Sequence, residues 1–139
     1  MIKPEYKYSE LTGKVIGSAI EVHKILGCGF QEVIYQRALQ FEMEIQKILF
    51  AREVEMPIFY KNKDVGTRRV DFLIGEKICL ELKALTRLED VHLAQSINYL
   101  EAFNLEVGLL INFGNTKLEF HRLHNKRFKS LKSEKSYQS

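Results

Sequence analysis

Apolar residues recur at helical spacing through the first third of the chain, and the period then changes. Val15, Ala19, Val22 and Leu26 stand three or four apart and give a first helix one apolar face. Ser9 or Thr12 is available to cap it, and Gly27-Cys28-Gly29 stops it. A second helix is predicted from about Gln31 to Lys47, with Ile34, Ala38, Phe41, Ile45 and Ile48 as its buried stripe. Glu32 falls in its first turn, where the helix dipole favours an acid. Phe50 to Tyr60 is rich in strand formers, and Pro57 suggests an edge or bulge position. Lys61-Asn62-Lys63-Asp64 with Gly66 reads as a turn, Arg68 to Ile74 as a strand, Gly75-Glu76-Lys77 as a tight turn, and Ile78 to Lys83 as another strand. Asp90 can open a third helix that offers Val91, Ala94, Ile97, Leu100 and Ala102 or Phe103 for packing. Val107 to Phe113 is almost wholly apolar, as expected of a strand covered on both faces, and Gly114-Asn115 leads to a last strand from Lys117 to Leu123.

The order α-α-β-β-β-α-β-β contains early hairpins and one helical crossover. It predicts an α/β protein with a mixed central sheet flanked by helices. No internal repeat interrupts it.

Composition narrows the class. A chain of 139 residues, 45% hydrophobic and 28% charged, is long enough for one domain with its own core. No apolar run approaches the ~20 residues that span a bilayer, and the N-terminus lacks the apolar segment of a signal peptide. A cytoplasmic protein with no membrane partner is expected. Two cysteines, Cys28 and Cys79, are too few and too far apart for a zinc motif. Cys79 reads as a buried, inert thiol and Cys28 as a loop filler.

The net charge of +3 is uneven, because six Lys/Arg and one acid lie between Arg122 and Lys135 and leave the remainder at −2. Such a tail can attract nucleic acid, and its Ser/Lys-rich end also fits a flexible, solubilising terminus. A domain over residues 1–125 and a flexible basic tail over 126–139 follow.

The charged residues inside two strand-like runs carry the chemistry. Asp71 lies in one strand and Glu81-Leu82-Lys83 in the next, with the Gly75 turn between them. Alternation puts Glu81 and Lys83 on one face and Leu82 on the other. If the register permits, Asp71 meets Glu81 across the hairpin. Two carboxylates with a carbonyl and waters suit Mg²⁺, which keeps several waters and takes few protein ligands. A lysine beside such a site can orient a water or stabilise charge on a phosphate. The plainer alternative is a hairpin held by an ion pair.

Glu32 is a candidate third acid. Gln95, which shares a helix face with Tyr99, could bond the site or a scissile phosphate. Lys24, Arg37, Arg68, Arg69 and Arg87 are candidate phosphate contacts; Arg69, two residues from Asp71 and therefore on its face, is the best of them for substrate contact, with Tyr99 a further candidate. His23 reads as a satisfied core histidine, and His92 as a residue that could face the site.

These residues also form an ordered set of words. Gly29-Phe30-Gln31-Glu32-Val33-Ile34-Tyr35 is a G-x-x-E-x-x-Y motif. Before it comes Val22-His23-Lys24-Ile25-Leu26-Gly27, and after it Glu81-Leu82-Lys83-Ala84, Gln95 with Asn98-Tyr99-Leu100, and Gly108 to Gly114. From about residue 9 to 123 the chain resembles the GxxExxY proteins, a branch of the PD-(D/E)XK nuclease-like superfamily. Cys28 departs from the proline more usual in that loop.

The resemblance implies a restriction-endonuclease-like α-β-β-β-α-β core. It assigns Asp71, Glu81 and Lys83 as the catalytic triple, with Gln95 as a further catalytic residue. Glu32, Asp71 and Glu81 become the metal ligands. The expected activity is Mg²⁺-dependent (or Mn²⁺-dependent) phosphodiester hydrolysis on DNA more than RNA, with a homodimer or protein partner possible. The alternative is a catalytically silent module of the same fold that binds nucleic acid or a protein.

Overall fold

The computed structural model describes residues 8–130. Its elements are α1 (Ser9–Leu26), α2 (Glu32–Ile45), β1 (Phe50–Tyr60), β2 (Lys63–Ile74), β3 (Ile78–Lys83), α3 (Asp90–Phe103), β4 (Val107–Asn112) and β5 (Glu119–His124). The strands form one sheet in the order β1-β2-β3-β4-β5. Only β3 and β4 are parallel, joined through α3, and the other neighbours are antiparallel. The expected mixed α/β sheet with flanking helices is therefore present.

Two apolar clusters cover the sheet. On one face Phe72, Ile74, Leu80, Leu82, Leu109 and Ile111 meet Val15, Ala19 and Val22 of α1 and Tyr35, Leu39 and Met43 of α2. On the other, Val70, Cys79, Leu110 and Leu123 meet Leu100 of α3. All six residues of β4 are buried, as its apolar run requires. A Cβ on Gly108 would fall 2.9 Å from the Leu100 side chain, so the absence of one lets α3 rest directly on β4.

Local packing corrects several expectations. Neither Ser9 nor Thr12 caps α1. Tyr8 holds the N-cap in the left-handed region at φ 60°, and Thr12 lies buried in the first turn, donating to the carbonyl oxygens of Tyr8 and Ser9. At the other end, Gly27 at φ 76° ends the helix as expected.

The buried stripe of α2 is Tyr35, Leu39 and Met43, one position round from the one expected. Phe41 and Ile45 face outward at 67% and 68% exposure. Tyr35 selects the stripe: its ring stacks on Phe113 at 4.7 Å, and its hydroxyl donates to Gly27 O at 2.6 Å and accepts from Phe30 N–H at 3.1 Å. Val91 and Ala94 of α3 are likewise exposed, and Ser96 and Leu100 are the residues it buries.

The expected turn at 61–66 contracts to Lys61-Asn62, whose φ values of 48° and 65° fit a two-residue hairpin of the primed type. β2 consequently starts at Lys63 rather than Arg68, and β5 starts at Glu119 rather than Lys117. Of the expected flexible tail, Lys129 exchanges two hydrogen bonds with the Asn104 side chain, and residues 131–139 lie outside the described residues. No described helix is long and apolar enough to cross a membrane.

Candidate active site

The hairpin of β2 and β3 splays where the chemistry sits. The paired register runs Ile74–Ile78, Leu73–Cys79 and Phe72–Leu80, and stops there. The Asp71 carboxylate supplies the next link, accepting the Leu82 backbone N–H at 2.7 Å through Oδ2. Opposite Asp71 on β1 is Glu53, at φ 57°, skipped by the Arg52–Phe72 and Val54–Val70 pairs. β2 changes the side it presents here: Val70 packs with the α3 cluster, whereas Phe72 and Ile74 pack under α1 and α2.

Alternation on β3 holds. Leu82 enters the α1/α2 cluster, and Glu81 lies on the opposite side with only 5% of its surface exposed. Oε1 of Glu81 is buried and has no hydrogen-bond partner among the described residues. Its nearest counter-charge is the Arg68 guanidinium at 3.8 Å. That guanidinium also lies over the Tyr99 ring, 4.7 Å from its centroid. Burial and the Asp71 charge push the Glu81 carboxyl up to about 8, against the opposing pull of Arg68 and Lys83.

Glu32 arrives from the first turn of α2. Burial and the same Asp71 charge raise its pKa, and Lys83 and Arg68 oppose the rise. Lys83 therefore acts electrostatically on both Glu32 and Glu81. Tyr35 does the positioning. By pinning Gly27 O and Phe30 N–H, its hydroxyl fixes the loop from which Glu32 emerges.

Gln36, one turn after Glu32, joins the acids. Its Nε2 donates to Asp71 Oδ1 at 2.9 Å and to Glu32 Oε2 at 3.4 Å. Its Oε1 accepts from Arg52 at 3.3 Å, and Arg52 also donates to Gln40 at 2.9 Å. The Arg52 guanidinium can only donate, so it fixes which end of the amide faces the carboxylates.

The segment after Lys83 is held by buried Asn112. Its Oδ1 accepts from Leu85 N–H at 2.8 Å, and its Nδ2 donates to Leu85 O at 2.9 Å and to Glu119 Oε1 at 2.8 Å. Phe113 N–H donates to Lys83 O at 2.8 Å. A Cβ on Gly114 would collide with the backbone of Ala84 and Leu85, so this crossing requires glycine.

The structure thus brings together Asp71, Glu81, Glu32 and Lys83. Tyr99 joins them through Arg68. Gln95 is exposed on α3, one turn before Tyr99 on the same face. Arg69 does not turn toward Glu81; it lies 3.8 Å from Glu53 and 3.6 Å from Glu55 on β1. Arg68 holds the place beside Glu81, because the turn in β2 at Asp71 reverses what simple alternation predicts. His92 is taken up in the capping box of α3, accepting Glu89 N–H at 2.9 Å, and His23 contacts Asn115 O at 3.0 Å. Burial raises the pKa of the Cys79 thiol and keeps it protonated, as expected of an inert residue. Gln36 had a legible signal, its one-turn spacing from Glu32. Arg68 was among the basic candidates, and the tertiary arrangement puts it ahead of Arg69.

A divalent cation fits this donor set. Acids that repel one another, one of them carrying an orphaned buried oxygen, gain from a bound positive charge. Among the described residues, however, no three His, Cys, Asp or Glu side chains converge into a ready ligand cluster. Asp71 and Glu81 supply two carboxylates, and Mg²⁺ commonly completes its shell with water.

The sequence model of the PD-(D/E)XK nuclease superfamily matches residues 9–123, which include every residue of this site. The chain belongs to that superfamily. Among solved structures it is similar to the crystal structure of SSO0001, with a TM-score of 0.55 and 19% identity over 87% of this chain. The match spans 61% of that protein's length, and at this identity it shows the fold alone. No curated protein matches. As a PD-(D/E)XK protein the chain carries a nuclease-type fold, and its splayed β2–β3 hairpin holds Asp71 and the Glu81-Leu82-Lys83 triplet.

Proposed function

We propose that this protein is a Mg²⁺-dependent or Mn²⁺-dependent nuclease that hydrolyses phosphodiesters, DNA ahead of RNA. The observation that carries this reading is Glu81: a buried acid with an unpartnered oxygen, raised pKa and two cationic neighbours, beside a second acid across a splayed hairpin. A group so placed is unfavourable for folding and suits ligand binding.

Asp71 and Glu81 are the proposed metal ligands, with Glu32 as a further ligand held directly or through water. A bound divalent ion supplies a Lewis acid at the phosphate oxygen and a more acidic water. The chain's own groups do the rest. Lys83 orients the attacking water and offsets charge growing on the phosphate. Arg68, held over the Tyr99 ring, can release Glu81 and meet a phosphate oxygen, a task that suits a planar guanidinium. Gln36 keeps Asp71 aimed into the site, and Gln95 on the exposed rim contacts the phosphate or its water.

The test is a panel of single-stranded and duplex DNA and RNA incubated with Mg²⁺ or Mn²⁺, with Lys83→Ala and Asp71→Asn as controls. Cleavage by the native chain that both variants abolish supports the reading. Cleavage that survives Lys83→Ala, or none on any substrate while Mg²⁺ and Mn²⁺ leave the melting temperature unchanged, would refute it and leave a nucleic-acid or protein-binding module.

A further inference from the structure

β1 and β2 extend well past the rest of the sheet. β2 pairs with β3 only through residues 72–74, but it pairs with β1 from Lys63 onward. The outer part is a two-stranded arm. Its base rests on α3 through Val54 and Met56. Its tip does not: Phe59 is 59% exposed, Tyr60 63% and Val65 61%. An isolated ribbon gains little stability from exposed aromatics, so their presence at the tip calls for a partner.

The charge at the tip selects the partner. Lys61 and Lys63 flank the Asn62 turn, and neither is in an ion pair among the described residues. Lys61 Nζ lies 5.4 Å from the Tyr60 ring centroid. The nearby acid, Asp64, accepts Gly66 N–H at 2.9 Å and offsets one of the two lysines, so the turn stays net positive. Exposed rings interleaved with unpaired lysines match a polyanion that carries flat, stackable faces. The arm is also continuous with the site: Asp71 is eight residues from Lys63 on one strand, about 26 Å at ~3.3 Å per residue.

We propose that the arm tip binds a single-stranded nucleic-acid flank, bases stacking on Phe59 and Tyr60 and phosphates meeting Lys61 and Lys63. This rests on the nuclease reading and adds a contact remote from the cleavage centre. The proposal implies a length requirement, because a strand must reach from site to tip. That span is about eight nucleotides at ~3.4 Å per step, more if the strand is not fully stacked.

The test compares the full chain with Phe59→Ala/Tyr60→Ala and Lys61→Gln/Lys63→Gln, all four positions of change being on the exposed ribbon. Fluorescence anisotropy with labelled DNA of about 6 and about 30 nucleotides reads binding, and cleavage of the same DNA with Mg²⁺ reads turnover. The aromatic double variant should bind the long single strand roughly tenfold or more weakly. The lysine double variant should lower the salt slope by about 1.4. Both should treat the short strand as the native chain does and retain its melting temperature. Unchanged binding of the long strand by both variants overturns the arm proposal while leaving the nuclease reading intact. Equal losses on blunt duplex overturn the stacking assignment. No binding or cleavage of any DNA by the native chain overturns both readings. A change in mass by light scattering in the variants assigns the tip to contact between protein copies instead.

Discussion

Replacing Glu81 with Gln should stabilise the apoprotein while abolishing its metal-dependent activity. Glu81 is buried, lacks a hydrogen-bond partner on Oε1, and has its carboxyl raised from 4.5 to about 8 by burial and then by Asp71. A group whose folded pKa exceeds its unfolded one contributes stability that is complete below the unfolded value and disappears as pH rises through the folded value. For Glu81 that window runs from pH 4.5 to about 8. Taken alone, the shift corresponds to a ceiling of about 5 kcal/mol above pH 8, at 1.36 kcal/mol per pH unit. The proton is shared with Asp71, and Gln cannot recover the attraction of Arg68 at 3.8 Å, so the expected gain is ~1–3 kcal/mol. Urea unfolding in EDTA at pH 5, 7 and 8.5 measures it. Glu81→Gln should match the native chain near pH 5 and exceed it increasingly toward pH 8.5, while Mg²⁺ no longer raises the midpoint. A variant less stable than the native chain at pH 8.5, or one with the same pH profile, would refute the strained-acid argument.

Other perturbations test neighbouring parts. Tyr35→Phe keeps the stack on Phe113 but leaves Gly27 O and Phe30 N–H without their hydroxyl partner; a loss of about 1–3 kcal/mol is expected in thermal unfolding, together with reduced cleavage because Glu32 is freed. Arg68→Ala should reduce cleavage by roughly 10²-fold, and Arg68→Lys should restore only part of it, since an ammonium lacks the planar, forked donors of a guanidinium; full activity in Arg68→Ala would remove Arg68 from the phosphate. Gly114→Ala should destabilise by about 1–3 kcal/mol and disturb the segment after Lys83, which fluorescence-monitored unfolding and kcat would register together. Saturating Mg²⁺ at ~100 Kd should stabilise the native chain by about 2.7 kcal/mol, and Asp71→Asn should abolish that gain.

Local chemistry was sufficient to place most elements. The change from helical to strand spacing near residue 50, the Gly27 stop, the Gly75 turn and the unbroken apolar run of β4 all act over a few residues, and each is present in the structure. The parity of Glu81, Leu82 and Lys83 was legible too, since β3 is regular and alternation is a property of any regular strand. What the linear pattern could not determine were choices between nearly equivalent arrangements. Two adjacent stripes of α2 are both apolar, and the Tyr35 hydroxyl bonded to a loop eight residues earlier decides between them. Arg68 and Arg69 are adjacent and equally basic, and the change of side in β2 between Val70 and Phe72 decides which one meets Glu81. Gln36 becomes part of the site only when α2 is laid beside β2. Periodicity reports which side of an element is buried; burial of a charge, and the partner that compensates it, depend on distances between elements that only tertiary packing sets.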